Sequence, residues 1–192
     1  MADDPASGPA SSWVARFAPL IPAGEVLDLA CGAGRHARLL ASLGHPVMAV
    51  DHDAAALAVT AGPGIATLCI DLEDESAPQP NWPFGANRFA GIVVTNYLHR
   101  PLFPHILASL APGGMLIYET FAFGNERFGK PSSPRFLLKQ GELLDLVRTG
   151  AMKIHVLAFE DGYVDQPKPA MVQRVCALKG GGAVPEHALR LA

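Results

Sequence analysis

A short apolar run that breaks at two glycines and turns straight into a helical pattern constrains this chain more than any other feature. Glu25-Val-Leu-Asp-Leu-Ala30 reads as a strand, and Cys31-Gly-Ala-Gly34-Arg-His-Ala37 follows it as a Gly-x-Gly-x-x-Ala turn. Missing Cβ atoms let the backbone bend sharply and let a ligand approach the N–H groups that open the next helix. A strand, such a turn and a helix form the first half of a βαβ unit, so the rest of the chain should alternate between strands and helices.

It does so from about Gly24 onward. Arg35 to Leu43 is predicted as a helix stopped by Gly44, with Pro46 just beyond, and Pro46–Val50 as the second strand. Asp53 caps a helix to Thr60, Gly64–Ile70 is a third strand, and 72–88, rich in proline and acidic residues around Trp82 and Phe84, suits a loop. Phe89–Thr95 is apolar enough to be buried on both faces. Pro104 opens a helix to Leu110, Pro112-Gly-Gly114 turns into a strand Met115–Glu119, and Glu142–Arg148 is helical. Lys153–Glu160 and Ala170–Leu178 read as a final antiparallel pair. The expected fold is α/β: a Rossmann-like, doubly wound, seven-stranded and mostly parallel sheet with an antiparallel edge strand. One domain is expected over 11–179, between a disordered tail at 1–10 and a flexible tail at 180–192.

The chain has 192 residues, of which 49% are hydrophobic and 17% charged, which suits one folded core. A formal net charge of −3 offers no broad footprint for nucleic acid or an anionic membrane surface. The acidic N-terminus carries no signal-peptide pattern, no apolar run is long enough to span a bilayer, and the 3 cysteines fit neither a disulfide framework nor a zinc site. The expectation is a cytoplasmic protein without a metal.

The turn by itself suits a dinucleotide as well as a nucleoside with an amino-acid arm, and Asp51, ending the second strand, suits ribose hydroxyls in either case. Asp28 discriminates: a carboxylate inside the first strand can face an ammonium group but sits poorly beside a pyrophosphate. Asp71, ending the third strand, can accept from an adenine amino group, and Leu72 can offer its N–H to the same ring. Thr95-Asn-Tyr-Leu-His-Arg100 places a polar and aromatic cluster at the carboxyl end of the fourth strand, where open α/β sheets carry their chemistry.

Val26-Leu-Asp-Leu-Ala-Cys-Gly-Ala-Gly34, Val50-Asp51, Asp71-Leu72, Thr95-Asn96-Tyr97 and Leu110-Ala-Pro-Gly-Gly114 together resemble the successive motifs of class I S-adenosylmethionine-dependent methyltransferases. Within that superfamily, the Gly-x-Gly-Arg-His and Asn-Tyr-Leu-His-Arg runs are similar to bacterial small-molecule enzymes of the tellurite-resistance type. The resemblance implies S-adenosylmethionine as cofactor and S-adenosylhomocysteine as product. It implies that Gly32 and Gly34 line the methionine portion, that Asp51 takes the ribose hydroxyls, and that His52, Asp71 and Leu72 surround adenine, with Asp28, Ala30 and Arg35 also expected to bind the cofactor. Asn96 and Tyr97 would border the transferred methyl. Ala30 departs from the glycine that many relatives carry there.

Candidates for acid–base work are Tyr97, His99 and Glu119, although methyl transfer to a thiolate or a free amine needs positioning alone. Plainer readings stand beside these: His36 as a support for the loop, His99 and Arg100 as structural partners, Glu119 as a cap on the next loop, Asp28 as a helix-capping or loop-bracing carboxylate, and Asp51 as a strand-end turn former. Residues 120–139 gather Phe121, Phe123, Phe128 and Phe136 with Arg127, Lys130, Arg135 and Lys139, which suggests either a solvated loop or a lid whose bases attract an anionic acceptor. The acceptor is expected to be a small molecule, with nucleic acid disfavoured. Readings kept beside this one are RNA or protein methylation, a silent cofactor-binding module, and a nicotinamide-dependent oxidoreductase, which leaves Asp28 and Asp71 unexplained.

Overall fold

The structure, a computed structural model, describes residues 8–73, 80–149 and 152–180. The tails expected at 1–10 and 180–192 therefore fall mostly outside the described residues. Helix α1 spans Ser12–Phe17, and its cap is Ser11, whose hydroxyl accepts from the Trp13 amide. No element was expected before Gly24, and α1 is six residues long, too short for its periodicity to register. Then follow β1 (Val26–Leu29), α2 (Arg35–Ser42), β2 (Val47–Asp51), α3 (Ala54–Thr60), β3 (Ile65–Cys69), β4 (Phe89–Thr95), α4 (Phe103–Ser109), β5 (Leu110–Phe121), α5 (Glu142–Arg148), β6 (Ile154–Val164) and β7 (Ala170–Lys179).

The strands form one seven-stranded sheet in the order β3-β2-β1-β4-β5-β7-β6. Neighbours from β3 to β5 are parallel, whereas β7 runs antiparallel to both β5 and β6. The order reverses between β1 and β4, so the crevice for a ligand opens at their carboxyl ends. Pro112-Gly-Gly114 lies inside β5 rather than before it. The pairing of β4 with β5 jumps from Phe89↔Leu110 to Gly91↔Met115, and a Cβ on Gly114 would stand 2.8 Å from the Ala111 carbonyl oxygen, so the turn survives as a tight bulge.

Two apolar cores cover the two faces of the sheet. On one, Leu27, Leu29, Ile92, Val94, Leu116 and Tyr118 pack against Leu102, Phe103 and Ile106 of the α4 region and Leu143 and Val147 of α5. On the other, Val26, Ala49, Val93, Met115, Ile117 and Cys176 pack against Trp13, Phe17, Ala37, Leu40 and Leu57 from α1, α2 and α3. Strand side chains alternate with period two, so Asp28 follows Val26, Thr95 follows Val93, and Glu119 follows Ile117 onto the α1–α2 face. That register decides which polar residues can reach the crevice. Among the described residues no helix is long and apolar enough to cross a membrane.

Candidate functional site

A cavity of about 390 Å³ runs along the carboxyl ends of β3, β2, β1 and β4. Its wall includes Ile70 to Glu73 after β3, Asp51 and His52 after β2, Ala30 to Gly32 with Arg35 and His36 after β1, and Thr95 to Tyr97 after β4. The backbone is shaped for this at two non-glycine positions, Ala30 at φ 54° and Asn96 at φ 56°, a left-handed conformation uncommon for residues other than glycine and asparagine.

Asp51 ties the loops together. Its Oδ2 accepts from the Gly32 amide at 2.8 Å and its Oδ1 from the Asp53 amide at 3.0 Å. A carboxylate has about four acceptor positions, so lone pairs remain for hydroxyl groups in the cavity. His52, whose ring stands 3.4 Å from Asp51 Oδ1, sits exposed at the rim. Asp71 accepts from the Glu73 amide at 2.9 Å in a local turn, and Leu72 is buried beside it.

Asp28 and Gly34 take different places. Both sit behind the cavity wall. The Asp28 carboxylate, 1% exposed, accepts from the Ala37 amide in the first turn of α2, and its Oδ2 has no partner among the described residues. Burial is the main reason its carboxyl is pushed up to about 7. Gly34, at φ 76°, leaves room for Thr60: a Cβ there would lie 2.4 Å from Thr60 Cγ2. The Thr60 hydroxyl uses that room to donate to the Gly32 carbonyl at 3.0 Å.

His36 is buried on the α2 face. Its Nε2 accepts from the Ser11 amide at 3.1 Å, and its Nδ1 stands 3.3 Å from Thr95 Oγ1. Desolvation, with Arg35 adding repulsion, lowers its pKa to about 3, so the ring is neutral near pH 7. Cys31 also borders the cavity, but burial raises its thiol above the usual range, which rules it out as a ready nucleophile.

Of the acid–base candidates, Tyr97 alone lines the cavity. Burial and the Glu73 carboxylate raise its phenol above the ordinary range, so it serves as a donor and an aromatic wall, not as a base. His99 Nδ1 stands 3.4 Å from Glu73 Oε2, outside the wall. Glu119 is bound up with Arg174, whose Nε is 2.6 Å from Oε2, and with the Ser11 hydroxyl, which donates at 3.2 Å. Arg100 braces the structure, with a fork onto Glu142 at 2.6 and 3.0 Å and donation to the carbonyls of Arg135 and Leu137.

A second cavity, about 240 Å³, adjoins the first and shares Glu73, Asn96 and Tyr97 with it. Leu98, Thr120, Phe121, Pro131 and Phe136 complete it, so residues 120–139 supply part of its wall. Arg127 and Lys130 do not: the Arg127 guanidinium lies over the Phe128 ring and donates to the Gly124 carbonyl.

The charge around the first cavity separates two kinds of ligand. Asp51, Asp71 and Glu73 line it against one arginine, Arg35, and Asp28 already occupies an N–H at the start of α2 where a pyrophosphate would bind. A ligand with a cationic arm suits this lining, and Asp28 Oδ2 stands behind it without a partner among the described residues. A model of the methyltransferase-domain family matches residues 26–114, a little under half of the chain. Residues 26–114 thus carry the sequence pattern of a methyltransferase domain. Solved structures share its fold: TehB from Haemophilus influenzae is 18% identical with a TM-score of 0.68 over 88% of this chain and 62% of that one. An S-adenosylmethionine-dependent methyltransferase from Mesorhizobium loti is 20% identical with a TM-score of 0.61, over 80% and 90% of the two chains. Phosphoethanolamine N-methyltransferase 2 from Haemonchus contortus, solved with S-adenosyl-L-methionine, is 17% identical with a TM-score of 0.65, over 88% and 52%. The chain thus spans less than two thirds of the TehB structure. No curated protein matches it.

The larger cavity brings together Ala30, Gly32, Arg35, Asp51, His52, Asp71, Leu72, Asn96 and Tyr97 from the expected set. Sequence reading missed Glu73, which lines both cavities from within an acidic, proline-rich loop where no periodicity indicates where a side chain points. It also left Val50 and Ile70 as plain strand residues; Val50, one before the end of β2, and Ile70, one past the end of β3, form apolar walls, a position that strand order would have supplied.

Proposed function

We propose that this methyltransferase domain transfers a methyl group from S-adenosylmethionine to a small-molecule acceptor held in the second cavity, by in-line displacement. The observation that carries this reading is the junction of the two cavities at Asn96 and Tyr97. A molecule in the smaller cavity would meet a molecule in the larger one there.

Asp71, Leu72 and His52 would hold the adenine, Asp51 the ribose hydroxyls, and Ala30 and Gly32 the methionine arm. Arg35 would face the carboxylate of that arm, and Asp28 would compensate its ammonium from beneath the turn. When bound, the cofactor supplies an electrophilic methyl group. The chain's own contribution is alignment: Tyr97 walls the junction, and its backbone is pinned by the Tyr118 hydroxyl, which donates to the Tyr97 carbonyl at 2.8 Å. Small size favours a small acceptor, since 240 Å³ admits little beyond a ring-sized group.

The test is product detection. Purified chain with S-adenosylmethionine is offered small amines, phenols and thiols alongside transfer RNA and peptide pools, and S-adenosylhomocysteine is measured. Turnover with a small molecule is expected; methylation confined to RNA or peptide, or binding without any turnover, contradicts the proposal.

A further inference from the structure

Glu73 is the one charged side chain among the described residues that lines both cavities. It stands just beyond β3, and among the described residues three neighbours hold it: the Tyr97 phenol by a hydrogen bond, His99 Nδ1 at 3.4 Å and Arg135 Nη2 at 3.6 Å. A carboxylate offers about four acceptor positions, more than these neighbours engage, so it retains capacity for a donor in the cavity. The rest of the smaller cavity is apolar apart from Thr120 and Asn96, with Leu98, Phe121, Pro131 and Phe136 as walls. Phe136 is 40% exposed, an aromatic ring left partly uncovered at the cavity mouth. No lysine or arginine belongs to the wall among the described residues.

We propose that Glu73 is the group that recognises the acceptor, and that the acceptor is a small, largely apolar molecule whose reacting group carries a hydrogen, an amine or an alcohol, rather than an anion. The proposal rests on the methyltransferase reading for what the cavity holds, and it departs from the anionic acceptor suggested by the basic residues of 120–139. Those bases fail as attractors because Arg127 and Lys130 lie off the wall, while Arg135 stands by Glu73. An N–H or O–H pointing at the free acceptor positions of Glu73 would place its heavy atom beside Asn96 and Tyr97, at the junction with the larger cavity. An anion in the same place would meet a carboxylate in a partly desolvated pocket and lose affinity.

Three matched probes test this: benzylamine, benzyl alcohol and benzoate, titrated into the full chain by ligand-observed NMR, with and without saturating S-adenosylhomocysteine. Benzylamine and benzyl alcohol are expected to bind in the millimolar range and benzoate at least about tenfold more weakly. Glu73→Gln should erase the preference against benzoate, and Phe136→Ala should weaken all three alike. Benzoate binding as tightly as benzylamine, an unchanged ranking in Glu73→Gln, or no binding by any probe would overturn the proposal. If S-adenosylhomocysteine itself fails to bind, the cofactor reading falls, while the ranking in its absence still decides the role of Glu73.

Discussion

Thr95 Oγ1 and His36 Nδ1 are 3.3 Å apart, and the direction of the hydrogen bond between them is set by a third residue. A backbone amide can only donate, so His36 Nε2, which takes the Ser11 N–H, carries no proton. The neutral ring must then hold its proton on Nδ1 and donate it to Thr95. The Thr95 hydroxyl hydrogen is left to face the cavity, where it can meet an acceptor oxygen at the amino-acid end of a bound cofactor.

In the proposed placement that end lies by β1 and β4, which the sheet order separates from the adenine side at β3. Nitrogen-resolved NMR should therefore show His36 as the neutral Nδ1–H tautomer throughout pH 5–8, consistent with its pKa of about 3. Thr95→Val should weaken S-adenosylhomocysteine binding about three- to tenfold, the value of one hydrogen bond, with Thr95→Ser restoring it. Binding of methylthioadenosine, which lacks the amino-acid arm, should not change. An Nε2–H tautomer, or equal losses for both ligands, would refute this arrangement.

In the proposed placement of the cofactor, Asp28 makes binding depend on pH. Its folded pKa of about 7 lies above its unfolded value, so the stability tied to its proton is present below about pH 4 and is lost as pH rises through 7. A cation bound above the turn favours the charged carboxylate, so binding releases a proton and weakens as pH falls below 7. S-Adenosylhomocysteine affinity should drop about tenfold from pH 7.5 to 5.5, and Asp28→Asn should flatten that slope. The same variant should raise the stability of the free protein at pH 8 by about 1–3 kcal/mol, because a buried charge has been removed. A steep slope retained in Asp28→Asn assigns the pH dependence elsewhere.

Gly34 serves packing. With Thr60 Oγ1 only 2.6 Å from the site of its missing Cβ, Gly34→Ala should cost about 3 kcal/mol or more, from the clash and from a φ of 76°. Combining it with Thr60→Ala should recover part of that loss in a double-mutant cycle read by urea unfolding. Strict additivity of the two costs would show that the glycine is required for some other reason.

Much of this architecture was legible in residue order. Phe89–Thr95 and Glu142–Arg148 appear at their expected bounds, because a run apolar throughout and a helix flanked by glycines leave little freedom. The β1 turn, Asp51 and Asp71 come together because parallel strands deliver their carboxyl ends to one edge. What escaped depends on direction. Asp28 is expected to face an ammonium group and Glu119 to do acid–base work or cap the next loop; in the structure their partners, the α2 amide of Ala37 for one and Ser11 with Arg174 for the other, lie on the α1–α2 face. Counting in twos from Val26 and Ile117 would have placed both. The role of Ser11 could not be counted this way, because α1 is brought to the sheet by Trp13 and Phe17 packing rather than by strand register.

The central claim, that the larger cavity holds S-adenosylmethionine with Asp51 on its ribose, is tested most directly by calorimetric titration of S-adenosylhomocysteine into the wild-type chain and Asp51→Asn. Asparagine keeps an acceptor for the Gly32 or Asp53 amide, so the variant should fold, and a thermal melt confirms that it does. The account predicts micromolar binding to the wild type, at least tenfold weaker binding to Asp51→Asn, and none of NAD by either. NAD binding in place of S-adenosylhomocysteine, or equal affinity of the two proteins, would contradict it.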